Sequence, residues 1–268
     1  MSLHTAQLIS LICNYNNYIK NGNIPRDYLD SNVFENCETV GYILLRNYVN
    51  RVGLDGDIVA ANPVKWFRYL EKDGCLKLSL HYRLPTSPKL KDSRTPNSLK
   101  GSLYIEAVYD KYSNFWFCRW FKQKESLGGE NWNVRYYLAY RFEDTIDEKV
   151  SLQKARNRLH DVLQKSISFA SDNDFLQWAD IFSIAFNVLN SPEPQTIFAK
   201  SGLIENDASL LQKRQVLYAT LIAFISPDED LWQVKPSDTK KSVALTSLTE
   251  KFYGALIASL IATANTQA

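Results

Sequence analysis

Histidine and cysteine are scarce in this 268-residue chain, and their scarcity excludes most of the chemistry they carry. His4, His81 and His160 stand far apart, and Cys13, Cys37, Cys75 and Cys118 form no CxxC pair, so a zinc site would need ligands from distant segments. The same spacing fits reduced, mostly buried thiols of a cytoplasmic protein rather than a disulfide framework. No Gly-x-Ser-x-Gly elbow and no phosphate-cradling glycine loop occurs, so neither a hydrolase nucleophile nor a cofactor is expected. Long apolar runs are missing too. Val216 to Ile225 and Ala255 to Ala264 fall far short of the roughly 20 residues that span a bilayer, and Leu8 to Cys13 lacks the basic flank of a secretory signal. No membrane partner is therefore expected. Net charge is small as well: 31 Lys and Arg against 29 Asp and Glu leave +2, which by itself draws the chain to no polyanion.

What is present is an uneven distribution. Residues 61–141 hold fifteen basic and seven acidic side chains, while the segments on either side are net acidic. Such asymmetry points to an anionic partner, although pairing between a basic sheet and acidic helices gives the same count. The basic region is also the aromatic one, centred on Phe115-Trp116-Phe117-Cys118-Arg119-Trp120-Phe121-Lys122.

Alternation with period two marks strands over 76–84, 103–109, 115–122 and 132–142. Pairing Asp110 with Phe115 across a four-residue loop sets Arg119 opposite Glu106 and keeps Trp116, Cys118 and Trp120 on the apolar face. A slip of one residue buries Arg119 and turns the tryptophans outward. Helical spacing covers 3–20, ended by Asn21-Gly22, and 33–49, with a turn at Asp55-Gly56-Asp57. Asn62-Pro63 starts a third helix that Gly74 ends. Three prolines and a basic excess make 85–98 a long exposed loop. After residue 145 the pattern is helical, with one helix through Leu159 and Ile167, one through Phe175 to Leu189 capped by Ser171 or Asp172, one from Leu210 to Phe224, and a last one carrying Val243 to Ile261. The fold class is accordingly α+β: N-terminal helices, a central four-stranded antiparallel meander and a C-terminal helical bundle. The division falls as 1–142 and 143–268.

The leading candidate site is the outer face of the meander with its loop: Lys77, His81, Arg83, Lys89, Lys91, Arg94, Phe117, Arg119, Arg135, Tyr137 and Arg141. Cations hold phosphates and aromatic rings stack on unpaired bases, so this face is a platform for RNA or single-stranded DNA. The bland alternative is that helices cover the face, because aromatic residues suit strands whatever the function. The glycine-and-aromatic signature of an RNA recognition motif is absent. Two weaker readings stand beside it. His81 and Glu106 share a face of adjacent strands, as a general base and its carboxylate would. Gly254, Ala258 and Ala262 beside Leu256, Leu260 and Ile261 make the last helix apolar on more than one side, as in a subunit that binds another protein.

Overall fold

A computed structural model describes residues 3–45, 56–82, 103–122, 131–143, 150–194, 210–224 and 239–266. The chain forms two compact units, one of residues 7–148 and one of residues 1–6 with 149–268. The α+β class holds. The sheet differs in detail, with six strands among the described residues rather than four, and one parallel joint.

In the sheet unit, α1 (Leu3–Asn21) ends at Gly22, whose φ of 69° admits the left-handed exit and whose N–H bonds Tyr18 O at 2.7 Å. The helical reading of 33–49 is overturned: Cys37–Leu45 is strand β1, and 46–49 lie outside the described residues. The apolar positions fit either period. Gly41 disfavours a helix interior by about 1 kcal/mol, and β-branched Thr39, Val40 and Ile43 suit a strand flanked by β-neighbours on both sides. Of the turn read at Asp55–Asp57, Asp55 lies outside the described residues and Gly56 and Asp57 begin β2 (Gly56–Ala60), where a Cβ on Gly56 would overlap the Leu44 carbonyl oxygen.

Helix α2 (Pro63–Lys72) begins as its sequence dictates, with Asn62 Oδ1 accepting from Lys65 N at 2.9 Å, and Gly74 leaves it at φ 83°. Strands β3 (Lys77–His81), β4 (Tyr104–Val108), β5 (Ser113–Lys122) and β6 (Trp132–Phe142) follow, and the strand order is β2-β1-β6-β5-β4-β3. All pairings are antiparallel except β1 with β6.

The β4–β5 turn closes two residues earlier on each strand than the sequence reading, with Val108 opposite Ser113 and Glu106 opposite Phe115. Tyr109 N bonds Tyr112 O at 2.9 Å and their rings stack at 4.5 Å, which holds the tighter register. The displacement is even, so the side chains of β4 and β5 keep their predicted faces. Arg119 nonetheless loses its expected partner Glu106 and stands opposite Arg135.

The inner face packs on the helices through an aromatic cluster. Tyr42 stacks on Trp66 at 4.2 Å and on Tyr136 at 5.0 Å, and Trp66 meets Trp116 edge-on at 5.5 Å. The Tyr136 hydroxyl donates to Gln7 Oε1 at 2.7 Å, which fixes α1 to β6. Asn16 then closes one sheet edge: its amide accepts from Leu78 N at 2.7 Å and donates to Leu78 O at 2.8 Å. A side-chain amide thus takes the place of a neighbouring strand and blunts the β3 edge.

The helical unit contains α3 (Leu152–Asp172), α4 (Leu176–Asn190), α5 (Leu211–Ala223) and α6 (Thr239–Asn265). Its core joins Leu159, Leu163, Phe182, Val216, Phe252 and Leu256. Ser151 caps α3, whereas Ser171 and Asp172 remain inside α3 and do not cap α4. Arg156 Nη2 reaches Leu189 O at 3.2 Å and so satisfies a carbonyl in the last turn of α4. The sequence also predicts a short helix ending at Gly202, and that segment lies outside the described residues.

Candidate nucleic-acid interface

The outer face of the sheet divides into a buried half and an open half. In the buried half, Ile43, Tyr104, Phe115, Phe117 and Tyr137 form one cluster, with Phe117 and Tyr137 stacked at 5.4 Å. His81 and Glu106 also lie there, both buried, with Nε2 and Oε2 2.7 Å apart and the His81 ring edge-on to Phe115. Tyr137, Phe117 and His81, expected on an accessible platform, are therefore packing residues.

Arg141 is displaced for a different reason. Phe115 pairs with Tyr140 but Trp116 pairs with Leu138, so Ala139 is an extra residue in β6. A bulge of one residue reverses the alternation beyond it. Arg141 consequently joins Asn114 on the inner side, where its Nε donates to Asn114 Oδ1 at 3.2 Å and its guanidinium lies 4.0 Å from the Tyr112 ring centre. Its charge also opposes the burial-driven rise of the Tyr69 hydroxyl on α2. Phe142 moves the opposite way, into the outer cluster.

Lys77 is half-buried on the outer face but at the far end of the sheet. It lies in the cross-strand row of Val108 and Ser113, and Ser113 is six residues from Arg119, about 20 Å at the usual strand rise. Arg83, Lys89, Lys91 and Arg94 lie outside the described residues. Of the eleven candidates, the structure brings together Arg119 and Arg135.

These two arginines stand directly opposite each other on β5 and β6. Arg135 is exposed and Arg119 half-buried. Each rests against a ring of the same face: the Arg119 guanidinium is 5.8 Å from Phe117 and that of Arg135 is 5.4 Å from Phe121, which is 39% exposed. Like charges directly opposite on a sheet are unfavourable, and neither arginine has a carboxylate within ion-pair distance among the described residues.

The register adds four residues that the sequence reading did not select. One cross-strand row reads Gly41–Arg135–Arg119 and the next Thr39–Asn133–Phe121. Phe121 was legible from the alternation with Phe115, Phe117 and Arg119. Thr39 and Gly41 were hidden by the helical reading of their segment, and Asn133 carries no signal until β1 is placed beside β6. A Cβ on Gly41 would meet nothing within 4 Å, so the row ends on bare backbone. Thr39 Oγ1 donates to Asn133 Oδ1.

Among the described residues, the open patch contains cations, a partly exposed ring and amide and hydroxyl groups, but no carboxylate, histidine or cysteine. Burial pushes the Cys75 thiol up to about 12 and also raises Cys37 and Cys118, so none of the three is a ready thiolate. No group of metal-ligating residues and no helix long and apolar enough to cross a membrane occurs among the described residues. On α6, the small stripe is used within the unit, since a Cβ on Gly254 would come within 3.2 Å of Arg158 Nη2. Compared with family models, curated proteins and solved structures, the chain matches none.

Proposed function

We propose that the protein is a non-enzymatic nucleic-acid-binding protein that holds RNA or single-stranded DNA on the open half of the outer sheet face. The observation that carries this reading is the opposed Arg119–Arg135 pair, whose mutual repulsion a phosphate between the guanidiniums relieves. Phe121 on the next row offers a ring for a base to stack on. The basic residues Arg83, Lys89, Lys91 and Arg94 belong to the same reading through their charge in the sequence. His81, Phe117 and Tyr137 are buried and Arg141 lies on the other face, so these four are not among the contacts of this reading.

The test is binding of labelled single-stranded RNA and DNA oligomers to the wild type and to an Arg119→Ala/Arg135→Ala variant across a salt series. Wild-type affinity is expected to fall steeply with salt. The variant, folded by circular dichroism, is expected to bind more weakly, with a log–log salt slope about 1.4 shallower, from two lost phosphate contacts at about 0.7 each. Wild type that binds neither polymer at low salt sinks the reading.

A second reading is a subunit of a larger assembly. It rests on α4, where Leu176 and Ile184, two turns apart, are 66% and 54% exposed. Salt-tolerant association that is lost in a Leu176→Ser/Ile184→Ser variant would favour it.

A further inference from the structure

We infer that the open face selects RNA over DNA, with a ribose seated over Gly41 and its 2′-hydroxyl bonded to Thr39 and Asn133. The inference rests on the nucleic-acid reading above and specifies its ligand. Three strands contribute. β5 and β6 supply the phosphate-attracting pair Arg119 and Arg135, and β1 continues that row with Gly41, where the sheet surface carries no side chain. A sugar needs such a flat, unobstructed seat beside a phosphate site. The adjoining row supplies Thr39 from β1 and Asn133 from β6.

The hydrogen bond between Thr39 and Asn133 decides what that row offers. Thr39 Oγ1 spends its proton on Asn133 Oδ1, so the hydroxyl oxygen faces a ligand as an acceptor. The same bond anchors the Asn133 carbonyl and leaves the amide N–H groups as donors. A donor and an acceptor side by side match a 2′-hydroxyl, which both accepts and donates, and a deoxyribose offers neither function. Exposure agrees with access: Thr39 is exposed and Asn133 half-buried, and the row ends at the partly exposed Phe121 ring, where the attached base can stack. The bound strand therefore crosses β5, β6 and β1 rather than running along one of them.

The experiment compares one sequence as RNA and as DNA, a 12-nucleotide oligouridylate and its deoxy counterpart, by fluorescence anisotropy at fixed low salt. Wild type is expected to bind the RNA about tenfold more tightly, the scale of one or two net hydrogen bonds. Thr39→Val keeps the side-chain shape, removes the acceptor and is expected to bring RNA affinity down toward the DNA level with DNA affinity unchanged. Gly41→Val fills the seat, where a Cβ would meet nothing within 4 Å, and is expected to weaken RNA binding at least tenfold.

Equal, salt-sensitive binding of RNA and DNA by the wild type overturns this inference and leaves the nucleic-acid reading standing. So does an RNA preference that survives both substitutions. No binding of either oligomer removes both. If Gly41→Val perturbs the fold, Thr39→Val decides alone, because it changes neither backbone freedom nor side-chain size.

Discussion

The two halves of the outer sheet face are built from the same strands by the same alternation, yet they behave as different materials. Along β5, Phe115 and Phe117 are almost wholly buried, whereas Arg119, two residues on, is half-buried and Phe121 is 39% exposed. Along β6, Tyr137 is buried and Arg135 exposed. The contrast teaches that a polar group's role follows the row it occupies. Glu106, in a buried row, has His81 Nε2 2.7 Å from its Oε2. Arg119 and Arg135, in an open row, are left facing each other.

The sharpest way to break the comparison is to treat both halves identically and measure stability by urea unfolding. Phe115→Ala is expected to cost about 3–5 kcal/mol, because the surrounding cluster cannot fully collapse into the space left behind. Glu106→Ala is expected to cost about 2 kcal/mol, since it removes a buried hydrogen bond to the His81 imidazole. Arg135→Ala in the open half should change stability by less than about 0.5 kcal/mol while weakening oligonucleotide binding. If Arg135→Ala proved as costly as Phe115→Ala, the two halves would not differ and the platform would be part of the core.

The smallest effect is the most discriminating in sign. Arg119→Glu turns the cross-strand pair into opposite charges and should stabilise the fold by a few tenths of a kcal/mol at low salt. The same substitution should reduce nucleic-acid binding more than Arg119→Ala does. A variant that is less stable in urea, or one that binds oligonucleotide as well as wild type, would show that the arginine pair is not a repulsive contact held open for an anion.

Much of this was legible locally. Asn62-Pro63 and Gly74 bound α2, and Gly22 ends α1, because caps and left-handed exits are properties of single residues. The four strands from β3 to β6 follow from period-two alternation, and the faces of β4 and β5 survived an error in turn position because the error was even. Three features escaped for the opposite reason, that they depend on a neighbour distant in the chain. β1 resembles a helix until it lies beside β6. Arg141 resembles an outer-face residue until the extra residue Ala139 reverses the alternation. His81, Phe117 and Tyr137 resemble an exposed platform until the burial of their rows is known.

The sequence by itself determined that this chain has a basic, aromatic sheet and a helical half, since charge, alternation and capping are written residue by residue. Only the tertiary structure decided which of those residues are exposed. Exposure and cross-strand opposition are relations between segments far apart in the chain, and Gly41, Arg135 and Arg119 share a row only because β1 pairs parallel with β6 and β6 antiparallel with β5.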